Sequence, residues 1–136
     1  MEMNWLAILA ASGAAWLFGA IWYGALGRPW AIGLGLLSSD APPARGAPPI
    51  FALVFSFVAE FVMAIMLSGL LMHLGGPKFG LMPALIGAFF MWIGFVAPAV
   101  ATNYAYQQRP WPVYAIDLGH WLGVLLVEAA VLALMN

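Results

Sequence analysis

The sequence predicts an all-α, polytopic membrane protein: a four-transmembrane-helix bundle occupying residues 1–136 as one domain. Two observations carry this. Of the 136 residues, 65% are hydrophobic and 7% charged, against about 25% charged in a soluble globular domain. The apolar residues also gather into four runs, 5–26, 50–74, 81–106 and 113–135. Each is long enough at about 1.5 Å per residue to cross a hydrocarbon core of roughly 30 Å. A net charge of -1 leaves no basic surface for nucleic acid. The absence of cysteine excludes a disulfide framework, a thiolate metal site and a catalytic thiol.

The opening MEMNWLAILA lacks a basic stretch, and its apolar run is too long for a signal peptide, so it reads as a retained helix. In this first span Ala11, Ala15 and Gly19 repeat every four residues, a flat strip against which another helix packs closely. Trp22 and Tyr23 close the span, where amphipathic rings favour the headgroup layer as anchors. Residues 27–49 form the one long loop. Its first part, Trp30 to Leu37, is too short to span and is expected to lie in the interface, and SSDAPPARGAPP after it is a proline-rich linker.

The second span holds Glu60 near its middle, where a carboxyl costs a few kcal/mol, on the order given by insertion scales, unless paired or protonated. A tight turn, GGPKFG, leads to the third span. There Pro98 cannot donate to the helix ladder and is expected to leave the carbonyl of Gly94 unpaired, with a kink. Asn103 and Thr102 follow one turn later. The fourth span carries Asp117, His120 and Glu128 at offsets of three and eleven, which places all three on one helical face. Gly119 and Gly123 form a GxxxG on the opposite face. With Ala11, Ala15 and Gly19 they invite self-association, or packing against a larger membrane complex.

The junctions after the first and third spans resemble each other. Tyr23-Gly-Ala-Leu-Gly-Arg28-Pro29-Trp30 matches Tyr104-Ala-Tyr-Gln-Gln-Arg109-Pro110-Trp111, which suggests two repeated helical hairpins. Arg28, Trp30, Arg109 and Trp111 also suit any membrane boundary as headgroup cations and interfacial rings. Arg28, Arg45 and Arg109 lie on one side against Lys78 on the other, so the Arg-bearing loops are expected in the cytoplasm and both termini outside.

Counted from the shared side, Asp117 lies about 6 Å in, His120 about 10 Å, Glu60 about 15 Å and Glu128 about 22 Å. One or two waters would bridge each gap, which makes a route for a proton or small cation. Histidine changes charge nearest neutral pH and is the natural relay. Two readings stay open, since such residues also serve as interhelical glue worth about 1 kcal/mol apiece. As an Asp/His/Glu metal site the same residues make only a weak pattern, ranked below protons, and with no strong metal motif or nucleophile–base pair a proton- or cation-coupled transporter or channel with no cofactor stands ahead of an enzyme, and a non-catalytic membrane subunit is the alternative.

On WYG (Trp22 to Gly24) ending the first span, Trp30 shortly after, Asn103 near the end of the third and Ile116-Asp117-Leu-Gly119-His120 in the fourth, the chain resembles the bacterial family Domain of Unknown Function 1761 over nearly its whole length. The resemblance implies a small four-span protein of the bacterial plasma membrane and implies no activity. Its partners are then the lipid bilayer and copies of itself or a larger complex, with Asn103 joining the polar group of Glu60, Asp117, His120 and Glu128.

Overall fold

The computed structural model describes residues 2–40 and 47–136; Arg45 and the centre of the proline-rich linker lie outside them. Among the described residues there are four helices long and apolar enough to cross a membrane: α1 (Trp5–Gly33), α2 (Ile50–Gly75), α3 (Leu81–Tyr106) and α4 (Trp111–Leu134). The protein is thus a multi-pass membrane bundle, as its composition predicts.

Each helix end has a local cause. Asn4 caps α1 by accepting the N–H of Ala7 at 3.1 Å, and its amide donates to the carbonyl of Met135 at 2.9 Å, which ties the two ends of the chain together. At the same end Asn136 donates to the carbonyl of Pro77 at 2.7 Å. Both termini and the α2–α3 turn therefore share one side.

The first span is longer than the sequence suggests. Rather than ending at Leu26 before a separate interfacial segment, α1 continues through Arg28, Pro29 and Trp30 to Gly33. The start of α4 supports this extension, since Gly33 lies where an added Cβ would meet Val113 Cγ2 at 2.7 Å. The helix stops at Gly35, with φ 75°, where Leu36 N–H reaches the carbonyl of Ala31 at 2.9 Å and Gly35 N–H that of Ile32 at 3.0 Å. Such a left-handed cap satisfies the last carbonyls and favours a residue without Cβ.

Pro98 is accommodated by a π turn over Trp92–Val96, in which Ala97 N–H reaches back five residues to the carbonyl of Trp92. The ladder thus slips by one residue just before the position that has no N–H to give. α3 then ends in the same left-handed cap as α1, built on Gln108 (φ 53°), with Arg109 N–H on the carbonyl of Tyr104 at 3.0 Å. Pro110 is extended and begins α4. Arg-Pro-Trp is therefore helical in one junction and a helix break in the other, so the suggested repeat is not matched in backbone conformation there.

α4 touches each of the other three helices, α1 lies along it in the most extensive contact, α2 and α3 meet slightly, and α1 and α3 do not meet. The core consists largely of small side chains, Ala7, Ala11 and Ala15 of α1, Ala64 of α2, Ala84 and Ala88 of α3 and Ala129 of α4, filled in by Ile8, Leu67, Leu71, Leu125 and Leu132. Small residues let backbones approach where lipid offers no hydrophobic drive to associate. Large apolar residues such as Leu17, Ile21, Phe51, Phe55, Phe90 and Phe95 point outward, as a lipid-facing surface requires.

The small-residue strips are consumed inside this bundle. Ala11 and Ala15 are fully buried and Gly19 is buried within the single chain. Across the α1–α4 contact, a Cβ on Gly119 would lie 2.8 Å from Trp22 Cζ2, and one on Gly123 would lie 2.2 Å from Phe18 Cζ. The GxxxG therefore receives two aromatic rings of α1 and leaves no room for another helix backbone, which corrects the expectation that these strips mediate self-association.

Candidate functional site

The polar interior is assembled from one face of α4 and one residue of α2. Asp117 and His120 are each 6% exposed, Glu60 is 2% and Glu128 0%. Side chains that prefer water are placed here because α4 is the helix surrounded by the other three, so its polar face turns inward instead of to lipid.

These residues form two unlike halves. Asp117 accepts a hydrogen bond from the hydroxyl of Tyr23 on Oδ1 and another from Tyr104 on Oδ2, each 2.5 Å long. One carboxyl thereby joins α1, α3 and α4, and both its oxygens are occupied. On either side of it two tryptophans hold the α4 backbone: Trp22 Nε1 donates to the carbonyl of Ile116 and Trp92 Nε1 to that of Leu118, both at 2.9 Å. Charged or polar bonds of this kind fix the height of one helix against its neighbours.

The second half is unlike this. His120 lies tilted against the ring of Tyr23 (centroids 4.8 Å apart) and stacks on Phe18 at 6.3 Å. Its Nε2 points to the gap left by Gly19, where a Cβ would stand 2.8 Å from Nε2 and 4.0 Å from Glu60 Oε1. A glycine on α1 thus makes the space in which the α2 carboxyl and the α4 imidazole converge. Glu128 lies deeper along α4, about two turns past His120. Glu60 Oε2, His120 Nδ1 and both carboxyl oxygens of Glu128 are buried without a hydrogen-bond partner. Buried polar atoms nearly always have partners, and each one left without costs about 1–3 kcal/mol.

Several placements differ from the sequence reading. Trp22 and Tyr23 are half-buried and turned onto α4, because Gly119 and Asp117 receive them there. Trp30 likewise turns inward, edge-on to Tyr23 at 5.7 Å, with its Nε1 buried. Asn103 is exposed and stands apart from the polar interior, as does Thr102; on a 3.6-residue period the side of α3 facing Asp117 belongs to Tyr104. Arg28 donates to the carbonyl of Ser39 at 3.1 Å, Arg109 donates to Gln107 Oε1 at 3.0 Å, and Trp111 is 78% exposed. The tyrosine pair is the element that residue-by-residue reading missed. Its signal was present in the matched junctions, where Tyr23 and Tyr104 each stand five residues before an arginine.

What this arrangement offers chemically is a set of buried protonatable and acceptor atoms. Among the described residues no three His, Asp or Glu side chains are close enough together to hold a metal ion. Fold and site define a multi-pass membrane protein whose last helix carries a tyrosine-clamped aspartate, with His120 and Glu128 of that helix and Glu60 of α2 buried behind it and each holding an atom without a hydrogen-bond partner. The chain belongs to the family described as protein of unknown function DUF1761, whose family model matches residues 6–133. No curated protein and no solved structure matches it.

Proposed function

We propose that the protein moves protons, or a cation in exchange for them, through the interior of the bundle, with Glu60, His120 and Glu128 as the exchanging groups. The observation that carries this reading is the four unpartnered buried atoms on those three residues. Polar groups kept as interhelical glue are satisfied by the helices they join, as Asp117 is. Ionisable groups left unsatisfied at membrane depth mark ion pathways.

Asp117 with Tyr23 and Tyr104 closes the Arg-bearing end of the route, which we place in the cytoplasm by the excess of arginine there, with both termini outside in a bacterial plasma membrane. The role is one of transfer, not catalysis. The alternative of a passive membrane subunit is less well supported, because it calls for satisfied polar groups and for small-residue strips free to receive another protein, and both strips are filled from within the chain.

The test is proton flux into liposomes under an imposed potential, measured with the thermal stability of the same samples. Glu60→Gln and Glu128→Gln keep the size of the side chain and should abolish flux without loss of fold. Equal flux in both variants, or none in the parent, refutes the proposal.

A further inference from the structure

The two halves of α3 are held very differently. The half before the π turn lies along α4 and buries Ala84 and Ala88, and Trp92, the first residue of the turn, is tied to α4 through its bond to the Leu118 carbonyl. The half beyond it meets α4 alone among the helices, and only slightly. From Pro98 to Tyr106 no side chain is buried. What joins this half to the polar interior is Tyr104, whose hydroxyl donates to Asp117 Oδ2 and whose ring stands edge-on to Tyr114 at 5.5 Å.

The junction between the halves is built to bend. Helix kinks concentrate at prolines, glycines and π turns, and here Gly94 lies within the π turn and Pro98 directly follows it. A Cβ on Gly94 would have nothing within 4 Å, so no neighbour braces the turn on that side. Tyr104 stands eight residues beyond Val96, about 12 Å from the hinge. A change in bend of about 20° therefore displaces it by about 4 Å, enough to break its hydrogen bond. Tyr23 has no such freedom. Its helix lies along α4, and its ring is packed on His120 and Trp30.

We propose that residues 97–106 form a hinged flap, latched by Tyr104 on Asp117, whose opening admits protons from the Arg-bearing end. With Tyr104 withdrawn, Asp117 Oδ2 takes the proton of a hydronium ion, leaving water, and Tyr104 keeps its own proton. His120 follows three residues later on the same helical face, with about 5–6 Å between the Cβ atoms. One water spans that gap and passes the proton to His120 Nδ1, which is buried without a partner. Tyr104 is thus a positioning residue, acting through Asp117. This rests on the proton route proposed above and adds how its Arg-bearing end opens.

The chain has no cysteine, so nitroxide labels attach only where one is introduced. Ile21→Cys on α1 with Tyr106→Cys on the flap, all exposed positions, reports the flap by pulsed electron paramagnetic resonance in liposomes. Ile21→Cys with Phe90→Cys reports the fixed half of α3. Adding Tyr104→Phe should lengthen the first distance by about 4 Å, the displacement expected of a 20° bend, and leave the second unchanged. Proton flux in unlabelled Tyr104→Phe should rise about threefold or more, the equilibrium value of one interhelical hydrogen bond. Pro98→Ala, which restores an N–H to the ladder, should reverse part of the shift when added to Tyr104→Phe. An unchanged first distance, an equal shift in both pairs, or a shift that Pro98→Ala leaves whole overturns the hinge. A moved flap with flux equal to the parent's overturns its role as a gate. Parent flux with an unmoved flap overturns the inference and leaves the transport reading intact, whereas a moved flap in a protein without parent flux supports the latch and removes the transport reading.

Discussion

Glu128→Met should make the protein more stable and less active at once. Glu128 is 0% exposed and neither carboxyl oxygen has a partner. A buried polar group without a hydrogen bond costs about 1–3 kcal/mol, more when charged. Methionine has a similar length and volume, so the exchange leaves no large cavity among Leu125, Ala129 and Leu132, and its thioether demands no donor. The fold should gain about 1–3 kcal/mol, the penalty now carried by the carboxyl. Reversible unfolding in mixed micelles, read by tryptophan fluorescence, measures the gain, and flux in liposomes measures the accompanying loss. Leu132→Ala, which opens a cavity at a neighbouring buried position, should lower stability by about 2–5 kcal/mol and shows that the assay reports packing. A Glu128→Met protein less stable than the parent by 1 kcal/mol or so would refute the reasoning, because it would mean that the fold itself satisfies the carboxyl.

The tyrosine clamp predicts the opposite sign. Tyr23→Phe and Tyr104→Phe should each lower stability by about 0.6–1.7 kcal/mol, the range of interhelical hydrogen bonds in membranes. In an Asp117→Leu background the same changes should have little effect, and full additivity in the unfolding free energies would show that the hydroxyls do not act through Asp117. Gly123→Ala should destabilise by about 1–3 kcal/mol through overpacking against Phe18 and be largely rescued by Phe18→Leu; a normal melting curve for Gly123→Ala alone would contradict the contact. A reporter that fluoresces only in the cytoplasm, fused after Asn136, should stay dark, and a bright fusion would reverse the orientation.

The number and order of the helices were legible in the sequence, because apolar runs of spanning length have no other stable fate in a bilayer: every backbone group must be paired within the segment. The shared face of Asp117, His120 and Glu128 was legible for a similar reason, as helical period is a local property. Which atoms end up paired was decided only by tertiary packing. Asp117 and Glu128 look equivalent along α4, yet two tyrosines from α1 and α3 reach one and no donor reaches the other. The end of α1 depended on α4 as well, since Gly33 packing on Val113 carries the helix past Pro29 where the same tripeptide stops the chain at Pro110. The GxxxG of α4 could serve another helix backbone or a large side chain equally well by spacing alone. Phe18 and Trp22, placed one turn apart on the facing helix, settle that choice, because a groove filled by rings of the same chain has no space left for a partner.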